Sequence, residues 1–201
     1  MSKSGKIENR GGVIIIIIVG MLATMEVIKN NWEEEIAKAS YKHVSYSNWY
    51  NAKSIKLIMK ENQRDYLESL LASGVVQEGN SEDLIQRLEK TNMAILKYEE
   101  EKVELLEGSA NIPKSSWSQD LDGEMGKIVG LKKWEQISTS YASQVAKINI
   151  GLLFLQISIV FGVVGLIIGD NLKLQQLFTN LMIGTGFIGI AIGLYAYSMF
   201  L

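Results

Sequence analysis

Few side chains in this sequence have the type and spacing to do chemistry, and each has a plainer use beside the chemical one. Gly184-Thr185-Gly186-Phe187-Ile188-Gly189 matches G-x-G-x-x-G, the turn that cradles a dinucleotide pyrophosphate. That use needs a strand before the motif and an acidic residue about twenty positions after it. No acid follows Gly189, so the glycines are assigned to packing and no cofactor is expected. Asp120, Asp122, Gly123 and Glu124 have some of the character of a calcium loop, but the EF-hand spacing and its further acids are missing. They are assigned to a loop or a helix start. Glu99-Glu100-Glu101 and Glu104 are placed on a solvated outer helix face. His43 is the single histidine and there is no cysteine. Multi-histidine and thiolate metal sites are therefore excluded, and a nucleophile triad is disfavoured. No catalytic residue and no metal site are expected, and the chain is expected not to be an enzyme. A net charge of −2 without a basic cluster argues against nucleic-acid binding.

What remains is small residues at helical spacing. Gly189 and Gly193 form G-x-x-x-G, as do Gly165 and Gly169, and Ser158 with Gly162 is a small-x-x-x-small pair. Together with Gly186, these positions are the candidates for close helix packing, which in lipid drives helix association. Gln156 and Asn149 are candidates for polar contacts inside a membrane, as glue between helices or as pore lining. No central acid or base accompanies them to mark an ion relay.

These positions belong to elements that the charge distribution delimits. Of the charged residues, 15 basic and 19 acidic lie between Asn30 and Lys147, whereas 11–25, 148–169 and 174–201 carry none. The segment 11–28 contains five consecutive isoleucines. In water these favour a strand, but in lipid a lone strand leaves its backbone unpaired, so a helix is forced. Lys3, Lys6 and Arg10 precede it as in a signal peptide, but no small-residue cleavage site follows. It is read as an uncleaved transmembrane helix after a polar tail, 1–10. In 148–169, fifteen residues are Leu, Ile, Val or Phe. They contribute about −5 to −9 kcal/mol to insertion. A turn is expected over 170–179 and a third transmembrane helix over 180–201.

The polar domain, 29–147, is expected to be helical and partly coiled coil. One helix continues from the first span to residue 72, stopped by Ser73-Gly74. A second runs over 81–107 with Ser81, Leu84, Leu88, Thr91, Ile95, Tyr98 and Leu105 on one face, Lys102 being its weak point. A third covers 119–147 after a loop holding Pro113. Lys53, Lys60 and Arg64 interrupt the apolar seam of the first. Trp134, Tyr141, Tyr195 and Tyr197 are read as interfacial anchors.

Trp49-Tyr50-Asn51-Ala52-Lys53-Ser54-Ile55-Lys56 resembles a motif of the uncharacterised membrane-protein family grouped as domain of unknown function 4337. The family pattern there is an aromatic pair, then Gln, Ala, Lys, Ser, Ile and Lys, soon after a first transmembrane helix. Asn51 replaces the Gln, and Ser47 stands where the family has a further Trp. Leu155-Gln156-Ile157-Ser158-Ile159-Val160 is similar to the family's Leu-Gln-Ile-Ala-Ile-Val, with Leu152 in place of an acid just before it. The resemblance implies the three-span layout and brings no activity.

The fold class expected is an all-α integral membrane protein with three transmembrane helices and a helical-hairpin polar domain. Its expected partners are the lipid bilayer and either further copies of itself or the subunits of a larger membrane complex, in which it would be an accessory subunit. An oligomeric channel or transport component, with Gln156, Ser158 and Asn149 lining the pore, is the alternative. The location expected is the cell membrane, multi-pass, with the polar domain on the cytoplasmic side.

Overall fold

The computed structural model describes residues 3–75, 78–168 and 171–199. Four α-helices dominate the described residues: α1 (Lys3–Ala72), α2 (Glu78–Glu107), α3 (Leu131–Ile167) and α4 (Leu172–Ser198). The fold is all-α apart from one two-stranded hairpin, β1 (Asp120–Leu121) and β2 (Glu124–Met125). Three of the helices, α1, α3 and α4, are long and apolar enough to cross a membrane, with windows of mean hydropathy 2.4, 2.5 and 1.8.

Two compact units emerge. The first holds residues up to Ala37 and from Ser138 onward, and the second is Lys38–Ile137. The expected polar domain, 29–147, is thus wider at both ends than the second unit. The reason is packing: Trp32, Ile36, Tyr141 and Val145 belong to the apolar cluster of the first unit.

In the first unit the buried positions recur every seventh residue. On α1 they are Gly11, Ile18, Met25 and Trp32; on α3, Ile148, Leu155 and Gly162, with Gly151, Ser158 and Gly165; on α4, Gln175, Met182, Gly189 and Ala196. A seven-residue period keeps one seam of each helix turned to its neighbours. The turn expected over 170–179 is mostly helix. Asn171 caps α4 by accepting from the Leu174 N–H at 3.3 Å, and this cap starts the helix two residues into the polar stretch rather than at residue 180.

The second unit is built from the rest of α1, from α2, from a loop over 108–130 and from the first turns of α3. α1 ends where Ser73 N–H reaches Ser69 O and Gly74 takes φ +67°, as its Ser-Gly stop predicts. α2 begins at Glu78, three residues before the start expected at Ser81. The helix expected over 119–147 starts only at Leu131. Its first part is instead the β1–β2 hairpin, whose two-residue turn Asp122-Gly123 has both φ values positive, 57° and 82°. Asp-Gly suits that turn, and Asp120 Oδ1 accepts from Gly123 N–H at 2.6 Å. Asp120 and Asp122 thus serve the turn, and Glu124 pairs with Lys127 at 2.7 Å.

Candidate functional site

The helix-packing residues can be followed one by one within the first unit. A Cβ on Gly162 would meet Met182 Sδ at 2.6 Å and Ile15 at 2.8 Å; one on Gly186 would meet Ser158 Oγ at 2.9 Å and Ile18 at 3.1 Å. A Cβ on Gly189 would lie 2.8 Å from Gly151 O, one on Gly193 would run into the end of the Met25 side chain, and one on Gly165 would lie a looser 3.3 Å from Phe178. At Gly189 a side chain would meet backbone and force the helices apart, whereas at Gly162, Gly186 and Gly193 the neighbouring side chains would have to shift. Gly169 lies outside the described residues. Gly151 belongs with the set, since its Cβ would meet Gly189 O at 2.9 Å. The i, i+4 pattern misses it, but the sevenfold series Gly151, Ser158, Gly165 contains it.

The G-x-G-x-x-G stretch lies wholly inside α4. Gly184 borders open space, while Gly186 and Gly189 pack against α3. The motif is therefore divided between two surfaces of one helix and forms no phosphate-binding turn.

Polar groups in the first unit are arranged differently from what the sequence suggests. Ser158, fully buried, donates to Met182 O at 2.6 Å across the α3–α4 contact. Gln156 and Asn149 are exposed on α3, away from the packing seam, and join no helices within the chain. The buried amides are Gln175 and Gln144. Neither amide atom of Gln175 has a hydrogen-bond partner among the described residues. At one end of this unit the rings of Trp32 and Tyr197 stack at 6.5 Å and 13°. Lys147 Nζ stands 5.7 Å above Tyr195.

Between α1 and α4 the surface is grooved. Arg10, Ile14, Gln176, Thr179, Asn180 and Ile183 line one hollow of about 460 Å³. An apolar one of about 240 Å³ includes Met21, Met25, Ile190 and Leu194.

In the second unit the acids expected on a solvated face are partly buried. Glu101 and Glu104 are 3% and 0% exposed. The i, i+3 step between them puts both on the face of α2 that turns inward, which the run of charges disguised. Glu101 pairs with Lys53 at 2.6 Å, and Lys53 also lies over the Tyr98 ring at 5.7 Å. Lys102 Nζ sits 5.1 Å over Tyr50. The two apparent flaws in the seams, Lys53 and Lys102, are thus bound into the α1–α2 contact.

The motif 49–56 supplies much of this contact. Trp49 meets Tyr46 edge to face at 6.1 Å, Tyr50 receives Lys102, and Ser54 Oγ donates to Tyr50 O at 3.0 Å. Asn51, Ala52, Ile55 and Lys56 are exposed. Trp134, read as an interfacial anchor, packs against Tyr46 at 6.4 Å in the core of this unit.

Glu104 organises the loop. Its Oε1 accepts from Ser109 Oγ at 2.7 Å, and its Oε2 accepts from the N–H groups of Ser118 and Gln119, each at 2.8 Å. Ser109 Oγ accepts in turn from Ile128 N–H at 3.0 Å. The Trp117 indole donates to Ser109 O at 2.9 Å. Gly108 and Gly130, at φ +89° and +88°, bring the two ends of the loop together: a Cβ on Gly130 would lie 2.5 Å from Gly108 N.

Among the described residues no three His, Asp or Glu side chains come together in a way that could hold a metal ion. The buried acids Glu101 and Glu104 are engaged in an ion pair and in loop hydrogen bonds.

The chain is thus helical, with three helices long and apolar enough to cross a membrane and the Trp49–Lys56 motif in its α1–α2 contact. The family model described as a domain of unknown function, DUF4337, matches residues 7–199, and the chain belongs to that family. No curated protein and no solved structure matches.

Proposed function

We propose that the chain is a multi-pass integral membrane protein that acts without catalysis, as a structural or interaction protein. It self-associates or serves as an accessory subunit of a larger membrane complex. The observation that carries this reading is the small share of its apolar windows covered by the chain itself. Only 17%, 33% and 22% of the three windows are buried. Helices so apolar and so uncovered need lipid and neighbouring helices to face. The engagement of Glu101, Glu104 and Ser158 in bonds within the fold supports a scaffolding role over a reactive one.

We place the second unit on the cytoplasmic side, because Lys29, Lys38, Lys42, Lys132, Lys133 and Lys147 outnumber Lys3, Lys6, Arg10 and Lys173. Protease protection in sealed vesicles reads this orientation.

Chemical cross-linking in native membranes, with light scattering of the detergent-solubilised chain, tests the interaction role. Discrete oligomers or one reproducible set of partners are expected. A monomeric mass with no cross-linked partner overturns it.

A further inference from the structure

We infer that two copies of the chain associate through the outward face of α3, with Gln156 and Asn149 each hydrogen-bonded to the same residue of the second copy. This names the partner and the surface for the interaction role proposed above and rests on that reading.

α3 carries two seams. The inner one packs on α1 and α4. On the outer side Asn149, Leu153, Gln156, Val160, Val163 and Ile167 recur at alternating steps of four and three, flanked by Ile150, Ile157 and Leu166, and all are exposed. That spacing lets one face of a helix meet another helix along a seam. No described residue covers it. Asn149 and Gln156 occupy the same position of successive heptads, and Gln156 lies near the middle of the apolar stretch 148–169. Among the described residues neither amide has a hydrogen-bond partner. In hydrocarbon an amide without a partner is strongly unfavourable, and acyl chains offer none.

The occupant follows from topology and dipolar complementarity. Insertion sets one orientation for every copy. The α3 helices of two copies therefore meet parallel, with residues of equal depth facing one another across a twofold axis. Each residue of the seam must then be complementary to itself. An amide satisfies this, having a donor and an acceptor in one group, whereas a lysine or a glutamate would repel its copy. Leu153, Val160 and Ile167 supply self-matching apolar packing between the amide layers, and a lone polar residue in such a seam fixes register.

The chain has no cysteine, so single introduced cysteines report proximity without background. In membranes holding the full chain, Leu153→Cys and Val160→Cys are expected to give disulfide-linked dimers on mild oxidation. Phe187→Cys, exposed on α4, is expected to give none. Gln156→Leu should weaken dimerisation about three- to twentyfold, the range for an interhelical amide bond, while Gln156→Asn retains most of it. Leucine at this exposed site makes α3 more apolar, so membrane content should not fall, and a lost dimer is then not a folding failure. Dimers that form at Phe187→Cys but not at Leu153→Cys or Val160→Cys, and that tolerate Gln156→Leu, overturn this surface and leave self-association standing. A monomeric chain with no disulfide at any of the three positions removes both.

Discussion

Gly151 and Gly189 stand backbone to backbone. A Cβ on Gly151 would lie 2.9 Å from Gly189 O, and one on Gly189 would lie 2.8 Å from Gly151 O. The reciprocity means that neither helix can yield by moving a side chain. Gly189→Val is expected to destabilise the first unit by about 1 to 3 kcal/mol through overpacking. Gly184→Val, five residues earlier in open space, should leave it unchanged. Thermal unfolding in detergent micelles compares the two. Equal melting temperatures would contradict the close α3–α4 contact.

Ser158 separates the hydrogen-bonding role of that contact from its spatial one. Ser158→Ala removes the bond to Met182 O and should cost only about 0.6 kcal/mol, because unfolded helices in a membrane also find partners for a hydroxyl. Ser158→Leu must push into Gly186, whose Cβ position is 2.9 Å from Ser158 Oγ. It should cost about 1 to 3 kcal/mol. SDS-induced unfolding in mixed micelles measures both, and a larger loss for alanine than for leucine would reverse the assignment.

Lys53 and Glu101 test the second unit in the same way. Their side chains are 15% and 4% exposed. Glu101→Leu strands the Lys53 ammonium against Tyr98 and should cost about 3 kcal/mol, at the low end for a buried pair because Lys53 keeps some access to water. Lys53→Met combined with Glu101→Leu should recover to within about 1 kcal/mol of the parent, since an apolar pair of similar volume replaces the ions without desolvation. A double-mutant cycle from denaturant unfolding of the full chain reads the coupling. Strict additivity would mean that the ions do not meet.

Much of this architecture is written in the sequence as local pattern. The apolar windows at 11–28 and 148–169 and the Ser73-Gly74 stop are short-range signals that the structure turns into helices and a helix end, and Gly162, Gly186, Gly189 and Gly193 lie at close helix contacts. The direction in which a polar residue faces is not local. Glu99, Glu100, Glu101 and Glu104 are chemically alike, and only distant partners decide which turn inward: Lys53 on α1 for Glu101, and the 108–130 loop for Glu104. Gln156 and Asn149 invited a contact within the chain, yet the seam that buries Ser158 leaves both on the far side of α3. The 119–130 stretch is not helix because Asp122-Gly123 adopts the positive φ of a tight hairpin turn, a preference of two residues that outweighs the polar character around them. The sevenfold series was the missed signal that would have added Gly151.

Glu104 bears the highest stakes of the buried groups. One carboxylate satisfies a hydroxyl at Ser109 and the two adjacent backbone N–H groups of Ser118 and Gln119, and it is itself fully removed from solvent. Glu104→Leu would strand all three donors, each worth about 1 to 3 kcal/mol when left unpaired in the interior. Ser109 would then lose its orientation towards Ile128 N–H, and the loop between Gly108 and Gly130 would open. Glu104→Gln keeps one oxygen to accept from Ser118 and Gln119 and disturbs only the Ser109 side, so it should fall between leucine and the parent. Trypsin reads the difference at Lys114 and Lys127, which lie in this loop. Cleavage there is expected to quicken by about tenfold or more in Glu104→Leu, the factor that each 1.4 kcal/mol of lost local stability produces. Cleavage at Lys90, in the body of α2, serves as the internal reference and should change less. Equal acceleration at all three lysines would show that Glu104 supports the whole unit rather than the loop.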